Sequence, residues 1–352
     1  MTMEDKTASI VTNRPPQKKG GVGVWLTRIF ENKHIGWAAL AIALIMPFII
    51  ATPYALNVMT TAAIFVVLAA GLNIVVGYCG LLDLGYIAFL AVGAYTAGIL
   101  SKMFELPVLF TLPAVIVMTI LAGLIIGAPT LRLRSDYLAI VTLGFGEITR
   151  ITANNLTITG GPSGIFGIPG ILKIGDVDFQ HPVIFYYFTV VVVAGLVLAA
   201  ARLGKSRLGR AWKFVKEDED AAEAMGIHTY KVKLLAYIFG AVWGGFGGIL
   251  FASHLTAVSP MSFLFLQSAL VLMAVVLGGM GNMKGVVIGA LVISLLPELL
   301  RDFSEYRYLL FGILLVVVMV FRPQGFWPPH ASEAERTTLK RDTAAIQNGL
   351  SR

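Results

Sequence analysis

The chain has 352 residues, of which 57% are hydrophobic and 13% charged, and its mean hydropathy is +0.80. This composition excludes an ordinary soluble domain, because a single core cannot bury so much apolar surface. The formal net charge of +7 comes from basic residues between apolar segments, which indicates cytoplasmic membrane loops and argues against nucleic acid as a partner.

The apolar segments predict an all-α, polytopic integral membrane helical bundle. A spanning helix needs about 20 mostly apolar residues. We expect about ten transmembrane segments, with about eight to eleven allowed by the uncertainty of segment ends. They form one transmembrane domain, residues 35–321, after an N-terminal tail, residues 1–34. The predicted segments are Ile35–Ala51, Tyr54–Val76, Cys79–Leu100, Leu106–Leu131, Tyr137–Thr149, Val183–Ala201, Leu234–Ser253, Phe263–Gly281, Gly285–Leu300 and Tyr308–Phe321.

The segment Tyr137–Thr149 is short for a spanning helix. About 13 residues at about 1.5 Å each cover about 20 Å, which is less than the roughly 30 Å of the hydrocarbon core. The segment is therefore either half of a helix or part of a longer helix that includes flanking residues.

Lysine and arginine are distributed unevenly between alternate loops. If the N-terminus is cytoplasmic, the largest basic loop, residues 202–233, is cytoplasmic too, and the outer loops hold few basic residues. The positive-inside rule therefore places both termini in the cytoplasm, including the C-terminal tail, residues 322–352. The polar N-terminal tail also argues against a cleavable signal peptide.

Two loops are long enough to hold structure of their own. The outer loop, residues 150–182, contains the glycine and proline turn residues of Thr159–Gly164. In the cytoplasmic loop, Glu217–Ala224 favours a helix, and Gly226 is expected to end it. This short helix, followed by the large apolar side chain of Met225, predicts a knob that another protein can bind.

Glycines recur at four-residue spacing in the later apolar segments. In lipid, small residues allow helix backbones to approach closely and gain dispersion contacts. We therefore predict helix-packing faces, and a partner subunit is one candidate for contact with them. The glycines are Gly240, Gly244, Gly248, Gly281, Gly285 and Gly289.

Three polar residues inside apolar segments, Asn73, Asp83 and Glu147, are candidates for lining a translocation pathway. A carboxylate at the bilayer centre costs about 2.5–3.5 kcal/mol on insertion scales, so its presence indicates a function or a special environment. Glu147 belongs to the short segment, and a broken helix is tolerated only where it lines a cavity or is buried in protein. For Asp83, a stabilising position near a helix N-terminus is an alternative. Glu298 lies near an outer segment end, where we expect an interfacial role.

Motifs for covalent catalysis, metal binding and nucleotide binding are missing from the sequence. Gly204-Lys205-Ser206 resembles the end of a phosphate-binding loop, but position 199 is alanine where that loop needs glycine. The single cysteine, Cys79, excludes a disulfide framework and a cysteine-rich metal cluster. We therefore predict no catalytic residues and no metal or cofactor bound by this chain, so that ATP-driven transport would need a separate ATPase.

Six blocks of sequence form an ordered series. They are Gly71–Gly77, Gly80–Gly85, Gly93–Tyr95, Arg134–Glu147, Thr159–Ile165 and Glu219–Gly226. Together they resemble the permeases of branched-chain amino acid ABC importers, of the LivM type. The resemblance extends from about Tyr54 to Phe321 and leaves the polar tails outside.

The resemblance implies a transport subunit, not an enzyme, in the inner membrane of a bacterial cell. The subunit would pair with a second related permease and with two cytoplasmic ATP-binding subunits, which hold ATP and Mg²⁺. A periplasmic binding protein would deliver the solute. The cytoplasmic loop would couple the permease to ATP hydrolysis through Glu219, Ala221, Ala222, Glu223, Met225 and Gly226.

The substrate and the energy source stay open at this point. The resemblance implies import of branched-chain, apolar amino acids, whereas related permeases carry urea or short amides. The intramembrane carboxylates and glycine-rich segments also fit a self-contained channel or an ion-coupled secondary transporter. A membrane-embedded enzyme is disfavoured, because no nucleophile, base and metal ligands converge in the sequence.

Overall fold

The computed structural model describes residues 44–47, 52–131, 135–174 and 177–299, together with the single residues 309, 312 and 313. The predicted tails, residues 1–34 and 322–352, lie outside the described residues. The predicted first and last spanning segments, Ile35–Ala51 and Tyr308–Phe321, also lie outside them, except for the few residues just named.

Helices make up most of the described chain. The helices are α1 (Pro53–Leu72), α2 (Ile87–Phe104), α3 (Leu112–Thr130), α4 (Ser135–Asn155), α5 (Pro182–Leu203), α6 (Arg207–Glu217), α7 (Glu219–Ala224), α8 (Thr229–Leu255), α9 (Phe265–Gly278) and α10 (Met283–Leu299). A π-helix, Asn73–Tyr78, continues α1, and 3-10 turns cover Val108–Thr111, Gly161–Ser163 and Pro260–Phe263.

Two-residue strands form small antiparallel pairs in the connections. β1 (Ile165–Phe166) pairs with β4 (Ala257–Val258), which ties the loop after α4 to the end of α8. β2 (Lys173–Ile174) pairs with β3 (Val177–Asp178) within the loop before α5. The loop 150–182, predicted from its turn residues, is therefore held both by a local strand pair and by a pair with the chain after α8.

Five of the described helices are long and apolar enough to cross a membrane. They are Pro53–Tyr78, Ile87–Phe104, Val108–Thr130, Pro182–Leu203 and Thr229–Leu255. The chain is thus a multi-pass helical membrane protein. The total of about ten segments and the cytoplasmic position of both termini stay predictions.

The predicted segment Cys79–Leu100 is wrong at its beginning, because α2 starts only at Ile87. Gly80 has a φ of +77°, a left-handed conformation that interrupts the helix. The Asp83 carboxylate then accepts a 2.8 Å hydrogen bond from the Gly85 amide, a local turn that competes with helical pairing. Asp83 therefore lies before α2 and not in its first turn.

The predicted short segment Tyr137–Thr149 is part of α4, which has 21 residues. At about 1.5 Å per residue, α4 is about 31 Å long and matches the thickness of the hydrocarbon core. Of the two alternatives, the longer helix with flanking residues is therefore the one that forms. Gly144 and Gly146 lie inside it without breaking it.

α8 is the central helix of the described bundle and packs against α1, α2 and α3. Glycine makes these contacts close. A β-carbon on Gly248 would lie 2.5 Å from the Ala94 nitrogen, and one on Gly93 would lie 2.7 Å from the Gly245 α-carbon. Backbones that approach so closely gain dispersion contacts, which lipid cannot supply between helices.

The six glycines predicted to form packing faces do not all lie in helices. Those within α8 or α10 are Gly240, Gly244, Gly248, Gly285 and Gly289. A β-carbon on Gly289 would overlap the Ala274 carbonyl of α9, so α9 and α10 are in backbone contact. Gly281 differs, because it lies in the turn between α9 and α10 with a φ of +89°.

Residues 80–86 form an irregular segment that lies against α4 and α8. The Leu84 amide donates a 3.1 Å hydrogen bond to Thr142 Oγ1, and the Tyr86 phenol donates a 2.8 Å hydrogen bond to the Gly240 carbonyl. In a membrane protein, a non-helical segment between spanning helices is tolerated where protein surrounds it and satisfies its polar groups. In the 80–86 segment, protein groups pair with the Leu84 amide, the Gly85 amide and the Tyr86 hydroxyl.

Candidate functional site

The basic loop, residues 202–233, folds into the short helices α6 and α7. α6 is amphipathic, because Gly209, Trp212 and Val215 are buried while its other side carries exposed basic residues. The Trp212 indole donates a 2.8 Å hydrogen bond to the Val232 carbonyl in α8. A helix of this kind is suited to the protein surface and the headgroup region, and not to crossing the bilayer.

α7 is capped at both ends. At its beginning, the Asp218 carboxylate accepts a 2.9 Å hydrogen bond from the Ala221 amide. At its end, Gly226 has a φ of +84°, and the Ile227 amide donates to the Ala222 carbonyl. This is the Schellman pattern, which requires a left-handed residue after the helix. Gly226 thus ends the helix, as the sequence predicts.

Side-chain contacts fasten α7 to the first turns of α8. Lys233 forms an ion pair with Glu219, and the Thr229 hydroxyl donates a 2.8 Å hydrogen bond to the Glu223 carboxylate. The side chain of Lys233 is 11% exposed and that of Glu219 is 47% exposed, so only the lysine end of this ion pair is shielded from solvent. α7 is therefore fastened to a helix that is continuous over 27 residues.

The free side of α7 presents a large apolar side chain to solvent. Met225, directly after the helix, is 83% exposed, whereas Ala222 is buried against the chain. The other predicted coupling residues, Glu219, Ala221, Glu223 and Gly226, are exposed. A methionine adapts its shape to a partner surface, and an exposed one on a fastened helix fits a protein contact.

α6 also contacts the π-helix Asn73–Tyr78 at the end of α1. The Lys216 ammonium donates a 2.9 Å hydrogen bond to the Gly77 carbonyl. The stem of Lys216 lies against Gly80, where a β-carbon would be 2.8 Å from Lys216 Cγ. Partial burial lowers the pKa of the Lys216 ammonium from its ordinary value. Single π-turns occur often at functional sites, and this one joins the loop to a spanning helix.

Asn73 begins the same π-helix and is fully buried. Its Oδ1 accepts a 2.9 Å hydrogen bond from the Gly281 amide, in the turn between α9 and α10. Gly77 leaves space for this contact, because a β-carbon there would overlap Asn73 Oδ1. Among the described residues, Asn73 Nδ2 has no hydrogen-bond partner. The π-helix therefore contacts the basic loop through Gly77 and the α9–α10 turn through Asn73.

Asp83 is fully buried in the 80–86 segment. One carboxylate oxygen accepts from the Gly85 amide, and the hydroxyl groups of Tyr237 and Thr142 lie beside the carboxyl group. Its Oδ2 has no hydrogen-bond partner within the described part of the chain. The environment is thus polar but incompletely paired, which fits a group that meets a ligand or another state of the protein.

Glu147 lies apart from these two residues. Its Oε2 accepts a 2.9 Å hydrogen bond from Arg150 one turn further along α4, and its side chain is 34% exposed. At helical spacing it shares a side of α4 with Ile140 and Ile151, which are 67% and 50% exposed. The sequence places Asn73, Asp83 and Glu147 together as pathway candidates, whereas the structure puts Glu147 on an outward side.

Sequence reasoning missed Lys216 and the role of Gly281. A lysine in a basic loop carries no signal that its amine reaches α1, and a π-helix has no sequence signature that separates it from an α-helix. The glycines at positions 278, 279 and 281 did offer a signal, since such a cluster favours a turn.

The described residues contain no group of three or more His, Cys, Asp or Glu side chains placed to hold a metal ion. The stretch Gly204-Lys205-Ser206 serves packing and capping. A β-carbon on Gly204 would lie 2.5 Å from the Tyr78 ring, and Ser206 Oγ accepts a 3.2 Å hydrogen bond from the Gly209 amide at the start of α6.

Comparison with known proteins gives one family. The model of the branched-chain amino acid transport system / permease component family matches residues 54–319. The chain is 42% identical over 314 residues to the high-affinity branched-chain amino acid transport system permease protein LivM of Escherichia coli K12, covering 83% of this chain and 74% of that protein.

More distant relatives are also named as branched-chain amino acid transport permeases. The probable branched-chain amino acid transport permease protein LivM of Methanocaldococcus jannaschii is 28% identical over 235 residues, which cover 60% of this chain and 67% of that protein. The permease protein LivH of E. coli K12 is 30% identical over 122 residues, or 34% of this chain and 39% of that protein. No solved structure matches the chain.

Proposed function

Because the chain belongs to the branched-chain amino acid transport permease family, we propose that it is the permease subunit of an ABC importer for branched-chain amino acids. The observation that carries this proposal is the 42% identity to a LivM permease over most of both chains. The multi-pass helical bundle and the fastened, exposed knob at Met225 support it. The membrane would be the inner membrane of a bacterial cell.

The complete importer would contain further subunits. A second, related permease would pair with this chain, and the shorter similarity to LivH is consistent with such a pair. Two ATP-binding subunits would bind ATP and Mg²⁺, so that this chain needs no nucleotide site and performs no catalysis. A periplasmic binding protein would deliver the amino acid and set most of the specificity.

Coupling would begin at the basic loop. An ATP-binding subunit would hold Met225 and the free side of α7, with Glu219, Ala221, Glu223 and Gly226 around it. Closure of the two ATP-binding subunits would then displace α7 and, through the contacts at Lys233 and Thr229, the whole of α8. Helix displacement of this kind converts a binding event at one end into a rearrangement across the bundle.

The π-helix offers a second route for the same displacement. Lys216 joins the loop to the Gly77 carbonyl, and Asn73 joins the next part of the π-helix to the Gly281 amide. The α9–α10 turn, with left-handed Gly279 and Gly281, would serve as the hinge that responds. Movement of α6 would therefore reach α9 and α10 as well as α8.

Asn73 and Asp83 are the stronger candidates for the translocation pathway. Asn73 Nδ2 is an unpartnered donor and Asp83 Oδ2 an unpartnered acceptor among the described residues. A zwitterionic amino acid carries the complementary carboxylate and ammonium groups. Glu147, on the outward side of α4, would line a pathway only where α4 meets the second permease.

Reconstitution tests the function directly. The chain, its second permease and the two ATP-binding subunits are placed in liposomes with the binding protein, and uptake of labelled leucine is measured with and without ATP. We expect uptake that requires ATP and every subunit. Uptake by the chain alone, driven by an ion gradient, would establish a self-contained transporter, and uptake of urea in place of leucine would reassign the substrate.

The knob is tested by Met225→Asp, with Met103→Asp as the matched control. Both methionines are strongly exposed, at 83% and 65%, but Met103 lies in the last turns of α2 and outside the basic loop. We expect Met225→Asp to abolish co-purification of the ATP-binding subunits, because a charge replaces the apolar anchor. Met103→Asp is expected to leave it unchanged. Equal co-purification of both variants would contradict the assignment of Met225.

A further inference from the structure

A cleft of about 440 Å³ lies between the beginning of α1 and the last turns of α8 and α10. This is the end of α1 opposite the basic loop, which contacts the other end at Gly77. The volume falls within the roughly 300–1,000 Å³ of small-molecule sites. The cleft is lined by Asn57, Val58, Thr61, His254, Leu255, Ser294, Pro297 and Glu298.

Among the described lining residues, the two titratable side chains are held in position by neighbours. The His254 ring stacks on Phe185, with ring centroids 5.7 Å apart and planes 10° apart, and its Nε2 lies 3.4 Å from Thr61 Oγ1. The Glu298 carboxylate accepts a hydrogen bond from the Tyr54 phenol. Groups whose orientation is fixed before binding cost less conformational entropy when a ligand arrives.

We propose that this cleft is an outer binding site for a zwitterionic apolar amino acid, an inference that rests on the proposed function. The Glu298 carboxylate would accept from the ligand ammonium, and His254 and Asn57 would donate to the ligand carboxylate. Charge-assisted hydrogen bonds of both signs select a zwitterion over an amine or an acid alone. The apolar side chain would lie on Val58, Leu255 and Pro297.

The position of the cleft suits a site that the solute would bind first when it enters from the outer side. If the basic loop is cytoplasmic, the cleft faces the side from which a binding protein delivers its ligand. Asn73 lies about 18 Å further along α1 than Thr61, at about 1.5 Å per residue. One spanning helix would therefore connect the outer cleft to the buried pathway candidate.

Photolabelling of the full chain in lipid nanodiscs tests the proposal. The probe is a diazirine analogue of L-leucine, which keeps the ammonium and carboxylate, and the labelled peptides are identified by mass spectrometry. We expect labels in α1 near Asn57, in α8 near Leu255 and in α10 near Ser294. Excess L-leucine should suppress them, whereas leucinamide, which lacks the carboxylate, should not.

Substitutions in the cleft distinguish a loss of ligand recognition from misfolding of the chain. Loss of one charge-assisted hydrogen bond should lower labelling about tenfold or more, so Glu298→Gln and His254→Gln are both expected to do so. Glu105→Gln is the matched control, because Glu105 is exposed just after α2 and does not line the cleft. Ser294→Leu would fill the cleft while keeping both titratable groups, and it should abolish labelling without changing the elution volume of the purified chain.

Two outcomes keep the failure of this site distinct from failure of the proposed function. ATP-driven leucine uptake by the complete importer, together with labels that avoid the cleft or survive Glu298→Gln, would overturn the site and leave the function standing. Labels in the cleft that leucinamide suppresses as well as leucine does would also overturn it, because recognition would not involve the carboxylate.

Discussion

Gly226 shows how one backbone conformation holds the exposed knob in place. Its φ of +84° belongs to the left-handed region, which costs an ordinary residue about 1–2 kcal/mol. Among the described residues, no heavy atom lies within 4 Å of a β-carbon built there, so the cost of a side chain is conformational and not steric. A substitution at Gly226 therefore tests the backbone conformation of the helix end without introducing a steric clash.

Gly226→Ala places a β-carbon on a residue in the left-handed region. The strain of about 1–2 kcal/mol corresponds to a roughly 5–30-fold smaller population of the intact α7 end. We expect ATP-driven uptake to fall several-fold while the chain still reaches the membrane. Gly226→Asn is the control, because asparagine tolerates the left-handed region, and it should retain most activity. Equal activity of the alanine variant and the original chain would show that the Schellman end is not needed for coupling.

Lys216→Met removes the ammonium group that joins α6 to the π-helix. Methionine keeps an unbranched stem beside Gly80 but cannot donate to the Gly77 carbonyl. A hydrogen bond from a charged group contributes about 1.5–3 kcal/mol. We expect the importer to hydrolyse ATP at its original rate while transporting several-fold fewer leucine molecules per ATP.

The matched control for Lys216 is Lys213→Met, an exposed lysine on the same helix. Its ratio of transport to hydrolysis should be unchanged. Lys216→Arg should restore part of the coupling, because the guanidinium can still donate to the carbonyl. If hydrolysis and transport fell together in Lys216→Met, the residue would be structural and not a link in coupling.

The geometry of the 80–86 segment depends on one small residue, Gly85. A β-carbon on Gly85 would overlap the Thr142 carbonyl of α4, whereas one on Gly144 would meet no atom of the described chain within 4 Å. We expect Gly85→Ala to destabilise the purified chain by about 1–3 kcal/mol, as overpacking does. Gly144→Ala should be neutral or slightly stabilising, since alanine favours a helix over glycine by about 1 kcal/mol. Thermal unfolding in detergent compares the two, and equal melting temperatures would contradict the close contact.

Elements with a long apolar pattern could be predicted from the sequence, and elements set by side-chain contacts could not. The predicted segment Leu234–Ser253 lies within α8, and Val183–Ala201 lies within α5. The predicted apolar segment Cys79–Leu100 includes residues 80–86. The irregular course of residues 80–86 depends on hydrogen bonds to Thr142 and Gly240, which are far away in sequence.

The same distinction holds for the candidate site at the scale of the whole molecule. The position of α7 follows from local signals, a helix-favouring stretch closed by glycine, which the sequence displays. The contacts of Lys216 with Gly77 and of Asn73 with Gly281 span 139 and 208 positions. No local sequence pattern encodes such pairs. The contacts that join the basic loop, the π-helix and the α9–α10 turn could therefore not be predicted from the sequence.

Orientation in the membrane is a prediction that belongs to the whole molecule, and the single cysteine makes it testable. Cys79 is buried, so it should not react with a membrane-impermeant maleimide. Met225→Cys and Met103→Cys place exposed thiols in the basic loop and in the last turns of α2, respectively. Positive charge in the basic loop predicts a cytoplasmic position for the first thiol and an outer position for the second. We therefore expect Met103→Cys to be labelled in intact cells and Met225→Cys only after the membrane is opened, and the reverse pattern would invert the proposed direction of transport.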